Sequence, residues 1–463
     1  MVSSHQRIAL VSLSPDLAQG DRMSIFPSYG VRRVQAALTA DPALQDCEVR
    51  LIDRRCASVE ELLSALLEFD PQLVGFSTYI WSMSTIIAAA AQLKQLRPET
   101  TIILGGPSAR ADVFNLPPYA NAAKFVDALV VSDGEETFRE IAALRDRSSA
   151  TLANVAGLAL PSPFGWTRTS ERVPNPDLDS LASAFQQKLM PANHVAYLET
   201  FRGCPLSCMF CQWGVMDSKR RFSVEYLKRE LRAIMETSPR FTFLVDAALN
   251  LNLAAFRNLV EADSEVGFFA STSLVCEVYP NLLTSEHLRV LERTAHVHAG
   301  VGVQSLDPKV LSNADRPFKP QHLRPVVEQL LQFGLVDVEI ILGLPGDTPE
   351  QFRRTLEEAL TLPCSIRVFR CLILPDALMT RAPREYQIRF DPRTLMMTSC
   401  HTWSERDLMA TQEYVSSLVE STPYASTGDY WWHFCHSSPA FLRAYGYDIS
   451  DKSSPNTYPV EVQ

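Results

Sequence analysis

Short apolar runs alternate with amphipathic helical patterns along the first 150 residues. The run Ser58–Phe69 is typical of the helices, because Ser58 and Glu61 have the spacing of a capping box ahead of an apolar stripe. The strand-like runs are Arg7–Leu13, Val49–Ile52, Leu73–Ile80, Thr101–Leu104 and Phe125–Val131. Five such repeats predict a doubly wound, Rossmann-like parallel sheet over residues 1–150, with ligands at the carboxyl ends of its strands.

Residues 151–192 have a different character, because prolines interrupt both periodicities. The prolines are Pro161, Pro163, Pro174, Pro176 and Pro191. The segment PSPFGW among them has the composition of a turn. We therefore predict a linker over 151–192 that contains a small hairpin.

The alternation resumes after the linker. The predicted strands are Val195–Thr200, Phe241–Val245, Gly267–Ser273, His298–Gln304, Val336–Leu342 and Ile366–Leu374, and a helical pattern follows each of the first five. Six consecutive units predict an open, partial (β/α)6 barrel over residues 193–375, with its chemistry at the carboxyl ends of the strands.

The strand signal fades beyond residue 376, and the patterns DPRTLMM and SERDLMATQEYVSSLVE are helical. We predict a small, mainly helical cap over residues 376–463. An aromatic cluster follows its last helical pattern, at Tyr430, Trp431, Trp432 and Phe434. Two interpretations of these aromatic residues stay open: a packed cap or a wall of a substrate pocket.

The composition narrows the class of protein. The chain of 463 residues is 46% hydrophobic, so it has ample material for cores, and its net charge of −10 argues against general binding to nucleic acid or to anionic membranes. We expect no membrane span, because no run reaches about 18 apolar residues. The first apolar run is too short for a secretory signal, so a cytoplasmic location is expected. The ten cysteines are then free thiols or metal ligands.

Three of the ten cysteines lie within eight residues, in RGCPLSCMFCQWG, directly after the first predicted barrel strand. Three thiolates in one loop can bind three irons of an iron-sulfur cubane and leave the fourth iron open, as a catalytic metal site requires. The alternatives are a zinc site with a distant fourth ligand and a set of inert thiols. The other seven cysteines are interpreted as ordinary thiols, at positions 47, 56, 276, 364, 371, 400 and 435.

The spacing of Cys204, Cys208 and Cys211, with Phe210 before the last cysteine, resembles the radical S-adenosylmethionine (SAM) enzymes. The resemblance implies a [4Fe-4S] cluster whose open iron is chelated by the amino and carboxylate groups of SAM. An electron from the reduced cluster then cleaves SAM to a 5′-deoxyadenosyl radical. It also implies an external electron donor of the flavodoxin or ferredoxin type.

Downstream segments resemble the SAM-binding parts of the same family. They are FLVDAALNLN, GVGVQSLDP, an Arg-aromatic stretch at Asp315–Phe318, and EIILGLPGDTPE. In the last segment, Gly343 and Gly346 would permit close approach of the adenine to the backbone. The residues that the resemblance places on the SAM side are Asp246, Asn250, Gln304, Ser305 and Gly343.

The first domain resembles the cobalamin-binding module of the B12-dependent branch, on the segments VGFSTYIWS, ILGGPSA and VVSDGEETFRE. All three follow predicted strands, and the last begins a helix whose N–H groups favour a polar ligand. The implied cobalamin-side residues are Ser77, Thr78, Gly105, Gly106, Gly134 and Glu135. The alternatives are ordinary turns, or a degenerate domain that binds no cobalamin.

Cobalamin modules of the usual kind have a D-x-H-x-x-G pattern after the first strand, and its histidine ligates cobalt. The corresponding region here, SLSPDLAQGDRMSIFPSYG, contains no histidine. The resemblance therefore implies a lower corrin face that is open or capped by another group. Tyr79 and Trp81 are the candidates for that cap. Methylating members of the family commonly lack this histidine as well.

Together these resemblances imply a cobalamin-dependent radical SAM methyltransferase. It would move a methyl group from SAM via methylcobalamin to an unactivated carbon of a small-molecule or peptide natural-product intermediate, by a radical or a polar route. The alternatives are a non-methylating rearrangement, cyclisation or oxidation with the same cofactors, and a non-catalytic cobalamin or Fe–S sensor. The acidic charge weighs against a nucleic-acid substrate. No catalytic residue is assigned, and Trp213, Trp431 and Trp432 are candidates for substrate contact.

Overall fold

A computed structural model describes residues 6–15, 27–215 and 219–436. Its first sheet has seven strands: β1 (Arg7–Ser14), β2 (Glu48–Arg55), β3 (Leu73–Ser77), β4 (Thr101–Gly105), β5 (Ala128–Val130), β6 (Leu158–Ser162) and β7 (Gly165–Arg168). The accompanying helices are α1 (Tyr29–Ala40), α2 (Val59–Phe69), α3 (Met83–Leu96), α4 (Ala111–Phe114), α5 (Gly134–Ala143) and α6 (Ser149–Leu152). The strand order is β2-β1-β3-β4-β5-β6-β7, and the first five strands are parallel.

The predicted doubly wound sheet is confirmed, because separate apolar cores cover its two faces. Ser58 and Glu61 form the predicted capping box at the start of α2: each side chain accepts a hydrogen bond from the other residue's backbone N–H. The connection from β1 leads to β2 on one side, and the chain then crosses to β3 on the other side. This order creates a switch point between β1 and β3, where open α/β sheets bind ligands.

The predicted linker contains the hairpin of β6 and β7, and this hairpin belongs to the first sheet. β6 pairs antiparallel with β5 through Leu158 and Ala159, which are fully buried. The sheet therefore extends to Arg168, beyond the predicted boundary at residue 150. The sequence signal missed this, because turn-forming residues flank two short strands that become stable only when they pair with β5.

The second sheet is the predicted partial barrel. Its parallel strands are β8 (Val195–Leu198), β9 (Phe241–Leu244), β10 (Ser273–Glu277), β11 (His296–Gln304), β12 (Gly334–Leu342) and β13 (Ser365–Arg370), paired in chain order. The helices between and after them are α7 (Val224–Glu236), α8 (Leu253–Val266), α9 (Ser285–Arg293), α10 (Pro308–Asn313), α11 (Leu323–Leu330) and α12 (Pro349–Ala359). Alternate strand residues face the helices and the barrel interior.

One barrel strand was predicted wrongly. The run Gly267–Ser273 is not a strand: Gly267 ends α8 at a φ of +72°, and the aromatic residues Phe268 and Phe269 are buried at a short 3-10 turn. β10 begins at Ser273 instead. The apolar run satisfied the strand pattern, but the left-handed conformation that glycine allows makes it a helix terminus.

The C-terminal region contains helices and short strands. Its elements are α13 (Leu378–Arg381), β14 (Arg389–Phe390), β15 (Met397–Ser399), α14 (Glu405–Ser421), β16 (Ser426–Thr427) and β17 (Trp431–Phe434). β17 pairs antiparallel with β13 and so extends the barrel sheet. Trp432 is fully buried and donates a hydrogen bond to Ser416 of α14 at 3.0 Å, which favours the packed-cap interpretation for this residue. Across the described ranges, no helix has the length and hydropathy needed to cross a membrane.

Candidate functional site

The three-cysteine segment forms a loop after β8, which we call the cluster loop (residues 204–211). Cys208 is buried, and Cys204 and Cys211 are partly buried. The backbone N–H of Cys211 donates to the carbonyl of Cys208 at 3.0 Å. Burial is the main cause that raises the pKa of Cys211 to about 11, and the neighbouring Cys208 and Cys204 thiols raise it further. The loop thus brings the three thiols close enough to interact electrostatically.

This arrangement fits an iron-sulfur cubane. Among the described residues, no three histidine, cysteine or acidic side chains converge on a single metal position. A cubane does not require such convergence, because each thiolate binds a different iron. None of the ten cysteines forms a disulfide, so no disulfide competes for the three in the loop.

Arginines approach the cluster loop from two directions. The Arg316 guanidinium lies 3.6 Å from the Sγ of Cys208 and stacks over the Tyr279 ring at 4.8 Å. The Arg381 guanidinium donates to backbone carbonyls of the loop. Burial raises the pKa of Cys204 and Cys211, and the charge of Arg316 opposes this rise. The thiolate, which a nearby positive charge favours, is the form that binds iron.

The barrel interior next to Cys208 holds a group of polar side chains, which we call the polar chamber: Glu277, Gln304, Arg316 and Glu339. Two glycines of β11 leave room for it. A Cβ on Gly300 would lie 2.3 Å from Oε1 of Glu277, and one on Gly302 would lie 3.6 Å from Arg316 and 3.7 Å from Glu339.

Burial raises the pKa of both chamber carboxyls, and Glu277 raises that of Glu339 further. Arg316 and Arg367 oppose this rise. Two acidic side chains and a guanidinium beside the cluster loop suit a ligand that carries both an ammonium group and a carboxylate.

Two predicted SAM-side residues have their hydrogen bonds occupied by the protein. Asp246 is buried and accepts hydrogen bonds from the hydroxyl and the backbone N–H of Thr200, the latter at 2.8 Å; burial raises its pKa to about 7. Asn250 exchanges two hydrogen bonds of 2.8 Å with the backbone of Tyr279. Both side chains fix strand ends beside the cluster loop, and contact with SAM stays a prediction for them.

The remaining SAM-side candidates lie at the ends of β11 and β12. Gln304 has a φ of +72° at an irregularity in the pairing of β11 with β12, and its amide belongs to the polar chamber. Ser305 is buried and accepts a hydrogen bond from the backbone of Asp307. A Cβ on Gly343 would lie 3.1 Å from Met397, so Gly343 faces the C-terminal region. The structure thus brings Gln304 into the chamber, and contact of Ser305 and Gly343 with SAM stays a prediction.

On the first domain, the loops after β3 and β4 interlock. The backbone N–H and the hydroxyl of Thr78 both donate to the Gly105 carbonyl at 2.7 Å. Gly106 has a φ of +93°, and a Cβ there would lie 2.7 Å from the Thr78 carbonyl oxygen. A Cβ on Gly105 would meet only Val130, at 3.8 Å. The space beside Gly105 is therefore open, as the approach of a cobalamin side chain requires.

We expect Gly106→Ala to lower the free energy of unfolding by about 2–3 kcal/mol, because the added Cβ is disfavoured at this φ and clashes with Thr78. Gly105→Ala is the matched control: it should leave stability unchanged and weaken cobalamin binding instead. Urea unfolding and titration with hydroxocobalamin check the two effects. Equal stability of the Gly106→Ala variant and the wild type would contradict the described interlock.

The predicted cobalamin-side residue Glu135 contacts the barrel. It is buried at the start of α5, and its carboxylate pairs with Arg202, two residues before Cys204, and with Arg33 at 3.6 Å. Asp133, before the helix, pairs with Arg220 at 2.7 Å. The pairs with Arg202 and Arg220 join the two domains beside the cluster loop. Contact of Gly134 and Glu135 with cobalamin stays a prediction.

The candidate lower-face residues stack on each other. The rings of Tyr79 and Trp81 lie 4.6 Å apart at an angle of 11°, and the Trp81 indole donates to the Leu13 carbonyl at 3.0 Å. The Ser77 hydroxyl is a hydrogen-bond partner of Tyr79. The pair is thus fixed at the carboxyl ends of β1 and β3. Most of the segment without histidine, residues 16–26, lies outside the described residues.

Both halves of the chain match known families. Residues 22–142 match the B12 binding domain, and residues 198–359 match the Radical SAM superfamily. The chain belongs to the cobalamin-dependent radical SAM enzymes. Members of this family use cobalamin, a [4Fe-4S] cluster and SAM, and the three cysteines, the polar chamber and the open strand ends fit these groups.

Two curated relatives are methyltransferases. The 2-(S-pantetheinyl)-carbapenam-3-carboxylate methyltransferase of Streptantibioticus cattleyicolor is 27% identical over 379 residues, 73% of this chain and 52% of the relative. The cobalamin-dependent radical SAM methyltransferase TokK of Streptomyces tokunonensis is 26% identical, over 73% of this chain and 52% of the relative. The chain thus spans about half the length of these relatives.

A solved structure of the radical SAM methyltransferase TsrM from Kitasatospora setae shares the fold. It has a TM-score of 0.62 at 16% identity and covers 88% of this chain and 89% of its own.

Four site residues are absent from the sequence-based predictions: Glu277, Glu339, Arg202 and Arg381. A usable signal exists for the first two, because each interrupts a mostly apolar barrel strand with an acidic residue. A charge in a parallel strand that is buried on both faces indicates an interior site. The roles of Arg202 and Arg381 depend on contacts with distant segments, and no local pattern reveals them.

Proposed function

We propose that the protein is a cobalamin-dependent methyltransferase that transfers a methyl group from SAM to a carbon of a small-molecule intermediate. The observation that carries the proposal is the position of the cluster loop against the first domain. Gln212, directly after Cys211, donates to the carbonyl of Pro107 in the loop after β4, at 3.2 Å. The loop that fits the cluster therefore lies against the strand ends that fit cobalamin, and we propose that a substrate faces both from this junction.

The chain's own side chains would bind and orient SAM at this junction. The polar chamber would hold SAM: Glu277 and Glu339 suit its ammonium and sulfonium charges, and Arg316 suits its carboxylate. Asp246 and Asn250 fix the strand ends beneath the loop. When bound, the cluster supplies the electron for cleavage of SAM, and cobalamin supplies a carrier for the methyl group.

The substrate class follows from the relatives, one of which is named for a carbapenam carboxylate that carries a pantetheinyl group. We propose a small, polar natural-product intermediate of that general kind. Trp431 is a candidate for contact with the substrate. It lies on β17, the strand that extends the barrel sheet, and its ring packs against the Arg367 guanidinium at 5.3 Å. Electrons would come from a flavodoxin or ferredoxin type donor in the cytoplasm.

The test is anaerobic reconstitution with iron, sulfide and hydroxocobalamin, followed by methyl-labelled SAM, a strong reductant and a panel that includes pantetheinyl carbapenam carboxylates. We expect S-adenosylhomocysteine together with a substrate that carries the labelled methyl group. Equal formation of 5′-deoxyadenosine would identify the radical route, and its absence the polar route. 5′-Deoxyadenosine without S-adenosylhomocysteine, on a substrate that is consumed, would overturn methyl transfer in favour of a rearrangement, cyclisation or oxidation.

A further inference from the structure

One guanidinium from the C-terminal region binds most of the cluster loop. Arg381, the last residue of α13, donates to the carbonyl oxygens of Ser207 at 3.3 Å, Cys208 at 2.9 Å and Met209 at 3.4 Å. It donates to the carbonyl of Cys211 as well. All four acceptors lie between or at the cysteines, so this single side chain spans the part of the loop that positions two of the three thiols.

The backbone before Arg381 is held by both domains. Asp376 adopts a φ of +55° and pairs with Arg110 of the first domain, Nε to carboxylate, at 2.6 Å. Ala377 and Leu378 are buried. The guanidinium therefore reaches the loop from a fixed base, which reduces the entropy lost when a long side chain makes several hydrogen bonds.

The four loop carbonyl groups around Arg381 favour a cation between them. Four carbonyl oxygens directed at one point repel one another unless a donor with several N–H groups lies between them. The Nε of Arg381 is buried and has no partner among the described residues, and the side chain as a whole is half-buried. Its charge is therefore screened by water less than that of an exposed arginine.

We propose that Arg381 is a positioning residue of the iron-sulfur site with two effects. It keeps the cluster loop closed before any cluster binds, and its charge raises the reduction potential of the bound cluster. The second effect follows because reduction adds negative charge beside a fixed cation, which favours the reduced form. The proposal rests on the cluster assignment and does not depend on methyl transfer.

The first effect is measured on cluster-free protein, by the alkylation rate of the loop thiols followed by mass spectrometry. We expect Arg381→Met to raise the rates at Cys208 and Cys211 about tenfold, since an open state that costs about 1.4 kcal/mol less is ten times more populated. Arg384→Met is the matched control, because Arg384 is exposed in the same segment. Equal alkylation rates in these two variants would overturn the closing role. The alkylation rates do not depend on methyl transfer, so this test is independent of the proposed function.

The second effect is measured by potentiometric titration of the reconstituted cluster, with the reduced form followed by its paramagnetic resonance signal. We expect a more negative potential in Arg381→Met than in Arg384→Met. Arg381→Lys should restore the reduction potential, because it keeps the positive charge. It should not restore the slow alkylation, because one ammonium group cannot reach four carbonyl oxygens. A role in folding alone would lower the cluster content of Arg381→Met and leave the potential of the remaining clusters unchanged, which would overturn the electrostatic part.

Discussion

Alanine at any one of Cys204, Cys208 or Cys211 is expected to abolish the iron-sulfur cluster and the reductive cleavage of SAM. Two thiolates cannot hold a cubane that leaves a further iron open, because two irons would then lack a protein ligand. The fold should persist, since the loop lies outside the strands and helices. Iron and sulfide content, the brown absorbance and the yield of 5′-deoxyadenosine under reducing conditions measure the effect.

Cys47→Ala is the control for this prediction, because Cys47 is a free, partly buried thiol that packs with a core of the first domain. It should keep a full cluster. A brown, iron-loaded protein after replacement of one of the three loop cysteines would overturn the assignment of that cysteine as a ligand.

The second large effect is expected at the contact between the domains. Glu135→Gln should lower the free energy of unfolding by about 3 kcal/mol, because it leaves the charges of Arg202 and Arg33 buried without this partner. Arg202 keeps its ion pair with Glu199, at 2.9 Å. The expected loss of stability is therefore at the lower end of the range for a broken buried ion pair. Because Arg202 also precedes the cluster loop, the variant should bind its cluster less tightly. Denaturant unfolding and iron retention under a chelator measure the two losses.

The same pair predicts a pH dependence. The Arg202 guanidinium offsets the cost of burial and lowers the pKa of Glu135 to about 2, from an ordinary value of 4.5. A carboxyl whose pKa is lower in the folded state contributes stability that is fully present above about pH 5 and is lost as the pH falls towards 2. The difference between wild type and Glu135→Gln should therefore shrink across that window. Glu60→Gln is the control, because Glu60 has the same position in the first turn of α2 and is exposed. An equal loss in both variants would show a helix-dipole effect instead.

The fold was largely predictable, because its elements are encoded locally. The five strands of the doubly wound sheet and five of the six barrel strands carry apolar runs of the right length. The failures have two causes. The run Gly267–Ser273 is a helix terminus and a buried turn, because Gly267 adopts a left-handed conformation, whereas β17 becomes a strand only by pairing with β13.

The candidate site was predictable to a smaller extent. Cys204, Cys208 and Cys211 share one loop, so their spacing alone indicated the cluster. Asp246 and Thr78 were chosen for their positions at strand ends, and the structure shows both forming hydrogen bonds to neighbouring strand-end residues. Sequence position places a residue near a site but does not tell whether its polar atoms are directed at a ligand or at the backbone.

The sequence alone therefore determined the alternation of strands and helices, the two domain types and the single loop that carries three cysteines, because each of these is encoded within a short stretch of chain. Only the tertiary structure decided which charges meet: Glu135 with Arg202, Arg381 with the cluster loop, and Glu277 with Glu339 across the glycines of β11. Residues in these groups lie tens to hundreds of positions apart. Their interaction energies depend on distance and burial in space, and the order of residues along the chain contains neither.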